Sequence, residues 1–265
     1  MIDTSNPDVL FEKRGNIAVI TLNSPRTRNA IGWTLGGNLV AALDQAENDD
    51  DVRAVVLTAS GPTFCAGAKV GEMIHPDGVD VRRRDKAILN GQKAVRRLRT
   101  MDLPVVAAIK GTSVGGGVAL AMACDLVVAA EDAAYYFAFG RVGCSAADYG
   151  CSHMLSRVIG TARSRHILLT GATIDSRRGL ELGLFVDVVN ETHLLERALE
   201  LAGSVAASAP REAVAATKQI LLRNEDVDFD ACLYFEHAVQ THFLNSEQHR
   251  KAVGTMLDGL KKKNG

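Results

Sequence analysis

Three loops rich in small residues carry the groups in this sequence that could do chemistry. The first spans residues 60–69 and the second residues 111–117, and each follows an apolar segment typical of a buried strand. Glycine and alanine leave backbone N–H groups uncovered, so such loops can hold a bound anion or a developing oxyanion. Taken alone, the first loop is more often a plain turn.

The second loop allows two functional interpretations. Gly111-x-Ser113-x-Gly115 lies between a predicted strand and a predicted helix, which is the context of a hydrolase nucleophile elbow with Ser113 as nucleophile. No His-Gly-Gly-type oxyanion loop accompanies it, and the glycine run fits neither a dinucleotide fingerprint nor a Walker-type phosphate loop. Partners for a triad are available in the right order, namely Asp148 or Asp187 with His193, His237 or His242.

The alternative uses the backbone of the same loop. Three consecutive glycines, residues 115–117, open a helix that continues from Val118. Their N–H groups lie at the positive end of the helix dipole, where an oxyanion is stabilised. Two such loops after two buried strands could supply one N–H group each.

The third loop, residues 137–150, contains one candidate acid/base group. Asp148 lies in a run of small and apolar residues, a setting that suits a carboxylate for proton transfer. An equally good explanation is that Asp148 caps a helix beginning at Cys151, because Asp is a favoured N-cap residue.

The elements that must position these loops follow from hydrophobic patterning over 265 residues, of which 47% are hydrophobic. Two strand-plus-glycine-loop units start about fifty residues apart, which favours stacked supersecondary repeats. After residue 160 the pattern is mainly helical, and the last helices have no strand beside them, as in a layer that packs on another subunit. The predicted strands are residues 17–22, 52–58, 105–109, 125–130 and 184–189, and the main helices lie near 35–46, 85–99, 164–169, 176–182, 193–206, 210–222, 229–242 and 246–260.

Charge and composition narrow the function classes. Lys and Arg number 30 against 31 Asp and Glu, so no global positive field draws the chain to nucleic acid or an anionic membrane. The longest apolar run, Val118–Cys124, is about a third of the ~20 residues that a membrane span needs. The first seven residues lack a secretory pattern, and five cysteines show no disulfide or zinc spacing. We therefore expect a cytoplasmic protein without nucleic-acid or membrane partners and without a metal.

Several motifs, in order and at their spacings, resemble the crotonase (enoyl-CoA hydratase/isomerase) superfamily. They are Leu22-Asn23-Ser24-Pro25-x-x-x-Asn29-Ala30, Gly61-x-x-Phe64-Cys65-Ala66-Gly67-Ala68, Pro104-Val105-Val106-Ala107-Ala108-Ile109-x-Gly111, Gly115-Gly116-Gly117, Cys124-Asp125, Leu155-Ser156-Arg157-Val158-Ile159-Gly160 and Leu169-Thr170-Gly171.

The resemblance implies an α/β fold, a crotonase-like spiral of ββα repeats with a C-terminal α-helical trimerisation region. Residues 1–200 would form the acyl-CoA-binding core and residues 201–265 the helical oligomerisation region. It further implies a homotrimer or a dimer of trimers. The substrate would be a coenzyme A thioester, with no separate cofactor.

The resemblance also assigns site residues. The thioester carbonyl oxygen would be held by the backbone N–H groups of Ala68 and Gly116, while Ser113 becomes an ordinary loop residue. Further substrate contacts fall at Arg26, Ala66, Lys69, Val70, Gly71 and Gly115. Coenzyme A carries phosphates, so a local positive site is expected, with Arg26, Arg28, Lys69 and the tail Lys261, Lys262 and Lys263 as candidates.

Departures from the family pattern concern the proton-transfer groups. The two glutamates of family hydratases correspond to Ala119 and Gly140, and the usual Asp after the first oxyanion loop is Lys69. Asp148 resembles the catalytic aspartate of the dienoyl-CoA isomerase branch, whose second carboxylate also falls at Gly140.

Because one base can abstract a proton and return it elsewhere, the sequence favours an isomerase over a hydratase, with Asp148 as base. Three alternatives stay open: a hydratase with non-standard acid/base groups, a non-catalytic CoA-ester-binding protein, and an α/β-hydrolase that uses Ser113. Residues close to Asp148 that could assist it are Cys144, Ser145, Tyr149 and His153.

Overall fold

The computed structural model describes residues 7–264, with side chains described for residues 7–258. The strands are β1 (Val9–Arg14), β2 (Ile17–Leu22), β3 (Ala54–Ala59), β4 (Val105–Ile109), β5 (Thr112–Val114), β6 (Leu126–Ala130), β7 (Ala134–Tyr136), β8 (Thr173–Asp175) and β9 (Asp187–Val189). The α-helices are α1 (Leu35–Glu47), α2 (Val81–Thr100), α3 (Gly116–Met122), α4 (Cys151–Ile159), α5 (Thr161–Thr170), α6 (Ser176–Glu181), α7 (Leu194–Ser208), α8 (Arg211–Asn224), α9 (Phe229–Leu244) and α10 (Glu247–Asn264).

Two sheets organise the core. The larger has the order β1-β2-β3-β4-β6-β9, and the smaller has the order β5-β7-β8. In the larger sheet only β1 and β2 are antiparallel. Strand β4 of the large sheet is followed by β5 of the small sheet and then by helix α3. Strands β6 and β7 and helix α4 repeat that order. The predicted spiral of ββα repeats is therefore confirmed.

The large sheet is buried on both faces, which explains its continuous apolar strands. Along β2, Ala18, Ile20 and Leu22 pack into one hydrophobic cluster, whereas Ile17 and Val19 pack into a second cluster on the opposite face. Successive strand residues point to opposite faces, so the two sets separate with a period of two. A sheet covered on both sides needs helices on both sides.

Helix α7 covers one of these faces with a four-residue repeat of small side chains. Alanine allows a helix to approach a sheet closely, and the repeat keeps these side chains on one face of the helix. The residues concerned are Leu194, Ala198, Ala202 and Ala206. Helix α7 runs through residues 200 and 201, and the division of the chain into two regions there stays a prediction.

A buried lysine attaches α8 to the core. The Nζ atom of Lys218 donates hydrogen bonds to the carbonyl oxygens of Leu98 and Leu103 at 2.9 and 3.0 Å. It also pairs with the Asp125 carboxylate at 2.8 Å. By contrast, α9 has no buried residue. Among the described residues, no helix has the length and apolar character required to cross a bilayer.

Candidate active site

The first two glycine loops meet at one edge of the large sheet. Strands β3 and β4 are parallel neighbours, so the loops that follow them emerge side by side. Two backbone hydrogen bonds join the loops: the Phe64 N–H donates to the Lys110 carbonyl at 2.9 Å, and the Val114 N–H donates to that of Cys65 at 2.9 Å. The sheet and these bonds fix the relative position of the loops.

Glycine is required where the loops touch. Gly67 has φ +78°, and a Cβ on it would lie 2.6 Å from the carbonyl oxygen of Val114. A Cβ on Gly117 would overlap the Cys65 carbonyl oxygen. Both distances are below van der Waals contact, so a side chain at either position would force the loops apart.

The two N–H groups predicted to hold an oxyanion are uncovered. Ile31 brackets Ala68, because its N–H donates to Gly67 at 2.6 Å and its carbonyl accepts from Lys69 at 2.9 Å. The N–H of Ala68 therefore faces away from Ile31. Gly116 is the first residue of α3, and its N–H has no acceptor within the helix. Within the described part of the chain, neither N–H donates to a protein acceptor.

The buried side chain of Asn29 fixes the position of the first loop through hydrogen bonds. Asn29 is fully buried with φ 54°, and its Nδ2 donates to the carbonyl oxygens of Ser60 and Thr63 at 2.9 and 2.8 Å. Its Oδ1 accepts from the Ser24 N–H at 2.7 Å. The side-chain amide is thus satisfied on both ends, and it ties residues 60–63 to the turn that precedes α1. The sequence motif contained Asn29, but its clamp role is visible only in three dimensions.

A cavity of about 520 Å³ opens in front of the two N–H groups. Of the predicted site residues, it brings together Ala66, Ala68, Val70, Gly115, Gly116 and Asp148, whereas Arg26, Lys69 and Gly71 do not line it. The rest of the wall consists of Ile31, Gly67, Met73, Ile74, Arg84, Asp85, Ile88, Val114, Ala138, Phe139 and Val142, together with Cys144 and Tyr149, which the sequence had placed near Asp148.

The cations predicted to bind phosphates, Lys69, Arg26 and Arg28, are not among the residues that line the cavity. Lys69 pairs with Glu72, whose carboxylate also accepts from the Trp33 N–H at 3.0 Å. Burial opposes ionisation of Glu72, but these partners together hold its pKa below the ordinary value. Arg26 and Arg28 are exposed, and neither forms an ion pair with a described residue. The side chains of Lys261, Lys262 and Lys263 lie outside the described residues.

Asp148 is half-buried at the cavity wall. Its Oδ1 accepts a hydrogen bond from the N–H of the next residue, Tyr149, at 2.8 Å. Helix α4 has Gly150 as its N-cap, with no side-chain capping bond. The interpretation of Asp148 as the cap of this helix is therefore wrong. The other carboxylate at the cavity wall is Asp85, in the first turns of α2.

Tyr149 lies beside the oxyanion loop in an unusual conformation. Its φ is 51°, in the left-handed region, which costs a bulky residue about 1–2 kcal/mol. A Cβ on Gly91 of α2 would lie 2.5 Å from the Tyr149 hydroxyl, and one on Gly116 would lie 3.9 Å from ring atoms Cε2 and Cζ. Burial, and then the charge of Asp148, raises the pKa of Tyr149, so the phenol stays protonated.

The other residues near Asp148 are less well placed. Ser145 Oγ accepts from the Ala147 N–H at 3.2 Å. The ring of His153 lies 3.5 Å from the carboxylate of Glu225, away from the cavity wall. Cys144 lines the cavity but is exposed. Sequence reasoning could not rank these residues, because their order along the chain does not show which side chains turn inward.

The hydrolase interpretation fails on burial. Ser113 lies within β5 and is fully buried, so a substrate cannot reach its hydroxyl, which has no partner among the described residues. Buried thiols are equally unsuited to nucleophilic chemistry, since burial raises the pKa of Cys65 and of Cys151 to about 12. The positions of the missing glutamates, Ala119 and Gly140, do not line the cavity.

The fold and site define a class of protein, an α/β spiral in which two backbone N–H groups border a largely apolar cavity. The family described as Enoyl-CoA hydratase/isomerase matches residues 12–263. The chain belongs to this family, the crotonase superfamily.

Individual relatives agree with that assignment. A short-chain-enoyl-CoA hydratase of Clostridium acetobutylicum is 32% identical over 256 residues, covering 96% of each chain. An enoyl-CoA hydratase of Alternaria alternata is 32% identical over 92% of this chain and 81% of its own. The crystal structure of an enoyl-CoA hydratase from Bacillus anthracis superposes with a TM-score of 0.89 at 26% identity, covering 95% of this chain and 96% of that one. These comparisons give no support to the dienoyl-CoA isomerase branch in particular.

Proposed function

We propose that this chain isomerises the double bond of an enoyl-CoA thioester, with Asp148 as the single base. The observation that carries the proposal is the composition of the cavity: two uncovered N–H groups, of Ala68 and Gly116, and the Asp148 carboxylate line the same space. Paired donors stabilise an enolate oxyanion, and a carboxylate that has lost its proton can remove one from carbon.

The reaction needs only groups that this chain has. The carboxylate of Asp148 takes a proton from the carbon between the double bond and the thioester, and the resulting negative charge moves to the carbonyl oxygen. The N–H groups of Ala68 and Gly116 hold that oxygen while the double bond shifts. Asp148 then returns the same proton at the far end of the shifted system. No other reactant is consumed.

The apolar wall supports an acyl group as the occupant. Met73, Ile74, Ile88, Phe139 and Val142 all border the cavity. Such side chains favour a hydrocarbon chain over a sugar or a nucleotide base, because burying apolar surface contributes roughly 25 cal/mol per Å². Coenzyme A as the carrier follows from membership of the family.

Hydration is the second candidate, and its support is that relatives such as the Clostridium acetobutylicum protein are named as enoyl-CoA hydratases. Hydration asks for a group that activates water in addition to one that moves a proton. The positions equivalent to the family glutamates are Ala119, which is buried in the core, and Gly140, which is exposed. Neither side chain can transfer a proton.

Product mass reveals hydration, and chromatography against standards of the two enoyl-CoA isomers reveals isomerisation, which leaves the mass unchanged. A 3-enoyl-CoA incubated with the protein should give 2-enoyl-CoA of unchanged mass, and crotonyl-CoA should remain unhydrated. Conversion of crotonyl-CoA to a product heavier by one water would favour hydration and overturn the isomerase proposal. Binding of these esters without turnover of any of them would identify a non-catalytic CoA-ester-binding protein.

A further inference from the structure

The hydroxyl of Tyr149 is a polar group without a protein partner at the edge of the cavity. Tyr149 is 8% exposed, and its hydroxyl makes no hydrogen bond with any described residue. The hydroxyl oxygen keeps contact with solvent, so the phenol is free to donate a hydrogen bond to a group that enters the cavity. A ligand that occupies the cavity would provide the missing acceptor.

The ring of Tyr149 lies between Gly91 of α2 and Gly116 of the second loop. The ring atoms nearest to Gly116 are Cε2 and Cζ, which lie at the hydroxyl end of the side chain. On the other side, Gly91 of α2 leaves the slot that the hydroxyl occupies. The hydroxyl oxygen is not sealed in the core, unlike that of Tyr135, which is completely buried.

The backbone of Tyr149 is held so that this placement persists. Its N–H donates to Asp148 Oδ1, and its φ of 51° is one that a bulky residue rarely adopts. Strained backbone of this kind is found mainly at functional sites, where surrounding contacts maintain it. One short segment thus delivers both the carboxylate of Asp148 and the phenol of Tyr149 to the cavity.

We propose that Tyr149 is a second side chain that contacts the substrate, with its phenol O–H donating a hydrogen bond to the acyl thioester in the cavity that Tyr149 shares with Gly116 and Asp148. The identity of the ligand rests on the proposed function. The phenol adds a third donor to the N–H groups of Ala68 and Gly116, from a side chain that the family resemblance did not assign.

The test is Tyr149→Phe, which removes the hydroxyl and keeps the ring between Gly91 and Gly116. We expect kcat/KM for a 3-enoyl-CoA to fall about tenfold, the effect of losing one hydrogen bond of ordinary strength. The melting temperature and the affinity for free coenzyme A should not change, because the hydroxyl has no protein partner to lose. Tyr135→Phe is the matched control, since it removes a hydroxyl remote from the cavity and should leave kcat/KM unchanged.

Binding measurements keep this test independent of turnover. Acetoacetyl-CoA, which forms a stable enolate, should bind Tyr149→Phe about tenfold more weakly than the wild type, with free coenzyme A bound equally by both. Equal affinity for acetoacetyl-CoA and equal kcat/KM would overturn the inference. So would a fall in melting temperature that accounts for the loss, because the hydroxyl would then serve the fold. A wild type that binds acetoacetyl-CoA through Tyr149 but isomerises nothing would instead refute the proposed function alone.

Discussion

The residues at this site contribute mainly through unpaired backbone N–H groups and through the absence of side chains at glycine. The N–H groups of Ala68 and Gly116 are available because no carbonyl of the described residues accepts from them. Gly67 and Gly117 have no Cβ, and only for that reason can the two loops touch. The chemistry proposed here depends on backbone groups held at fixed positions, with Asp148 as the carboxylate that moves the proton.

The substitution Gly67→Ala should therefore damage the oxyanion hole. The new Cβ would meet the Val114 carbonyl at 2.6 Å, at a φ of +78° that alanine tolerates poorly. Displacing one oxyanion donor costs about 100-fold in kcat, and we expect a loss of at least this size. Steady-state kinetics on a 3-enoyl-CoA would measure it.

Gly78→Ala supplies the control for that change. Gly78 has a comparable φ of +86°, but nothing lies within 4 Å of a Cβ built on it. It should lower the melting temperature slightly and leave kcat close to the wild-type value. Equal losses of kcat in Gly67→Ala and Gly78→Ala would show that backbone strain, and not the loop contact, causes the effect.

At the scale of elements, the strands with continuous apolar runs were predictable, and the strands without such runs were not. Strands β2 and β4 were predicted with the bounds observed, because their apolar runs are continuous and buried on both faces. Strand β1 was missed, since Val9 is its one buried residue and the strand ends in charged side chains. Strands β5, β7 and β8 have three residues each, too few to show a period.

The same distinction applies to the site. The N–H donors follow glycine loops whose spacing along the chain is characteristic, so Ala68 and Gly116 could be named from the sequence. The contribution of α2 could not be predicted from the sequence, because Arg84, Ile88 and Gly91 reach the site through packing between elements that are distant along the chain. The sequence could not distinguish Tyr149 from the three other residues near Asp148, whereas the fold shows which of the four line the cavity.

Because α2 packs on the third loop, we predict that Gly91→Ala destabilises the protein, the opposite of the usual effect of replacing glycine by alanine in a helix. Alanine favours a helix over glycine by about 1 kcal/mol, so Gly91→Ala would ordinarily stabilise α2. Here its Cβ would overlap the Tyr149 ring, and we expect destabilisation of about 1–3 kcal/mol instead. Denaturant unfolding would measure the difference.

Gly37→Ala on α1 is the comparison for that experiment. Its Cβ would lie 3.7 Å from Asn90 Nδ2, which is ordinary contact. This change should stabilise the protein by up to about 1 kcal/mol. Stabilisation by both substitutions would contradict the close contact between Gly91 and Tyr149.

For the molecule as a whole, the exposed C-terminal surface predicts assembly. Helix α9 exposes Phe229 and Tyr234 at 73% and 78% and Leu233 at 48%, while none of its residues is buried. Large exposed apolar side chains grouped on one helix mark protein interfaces. The family resemblance implies trimers or dimers of trimers, and we expect to observe these by sedimentation equilibrium. A monomer at all concentrations would contradict this prediction.

The net charge of −1 for the whole molecule is compatible with a phosphate-bearing ligand. Charge balance over the chain excludes a global field but not local cations, and Arg26 and Arg28 are exposed without ion pairs among the described residues. Lys69 contributes less than its position in the sequence indicated, since it is paired with Glu72.

The most direct test of the central claim compares two carboxylates that line the same cavity, Asp148 and Asp85. Turnover of a 3-enoyl-CoA would be measured for Asp148→Asn and Asp85→Asn, with acetoacetyl-CoA binding as the check that each site is intact. We predict that Asp148→Asn abolishes isomerisation while binding persists, and that Asp85→Asn retains isomerisation. Retained isomerisation in Asp148→Asn would contradict the assignment of this carboxylate as the single base.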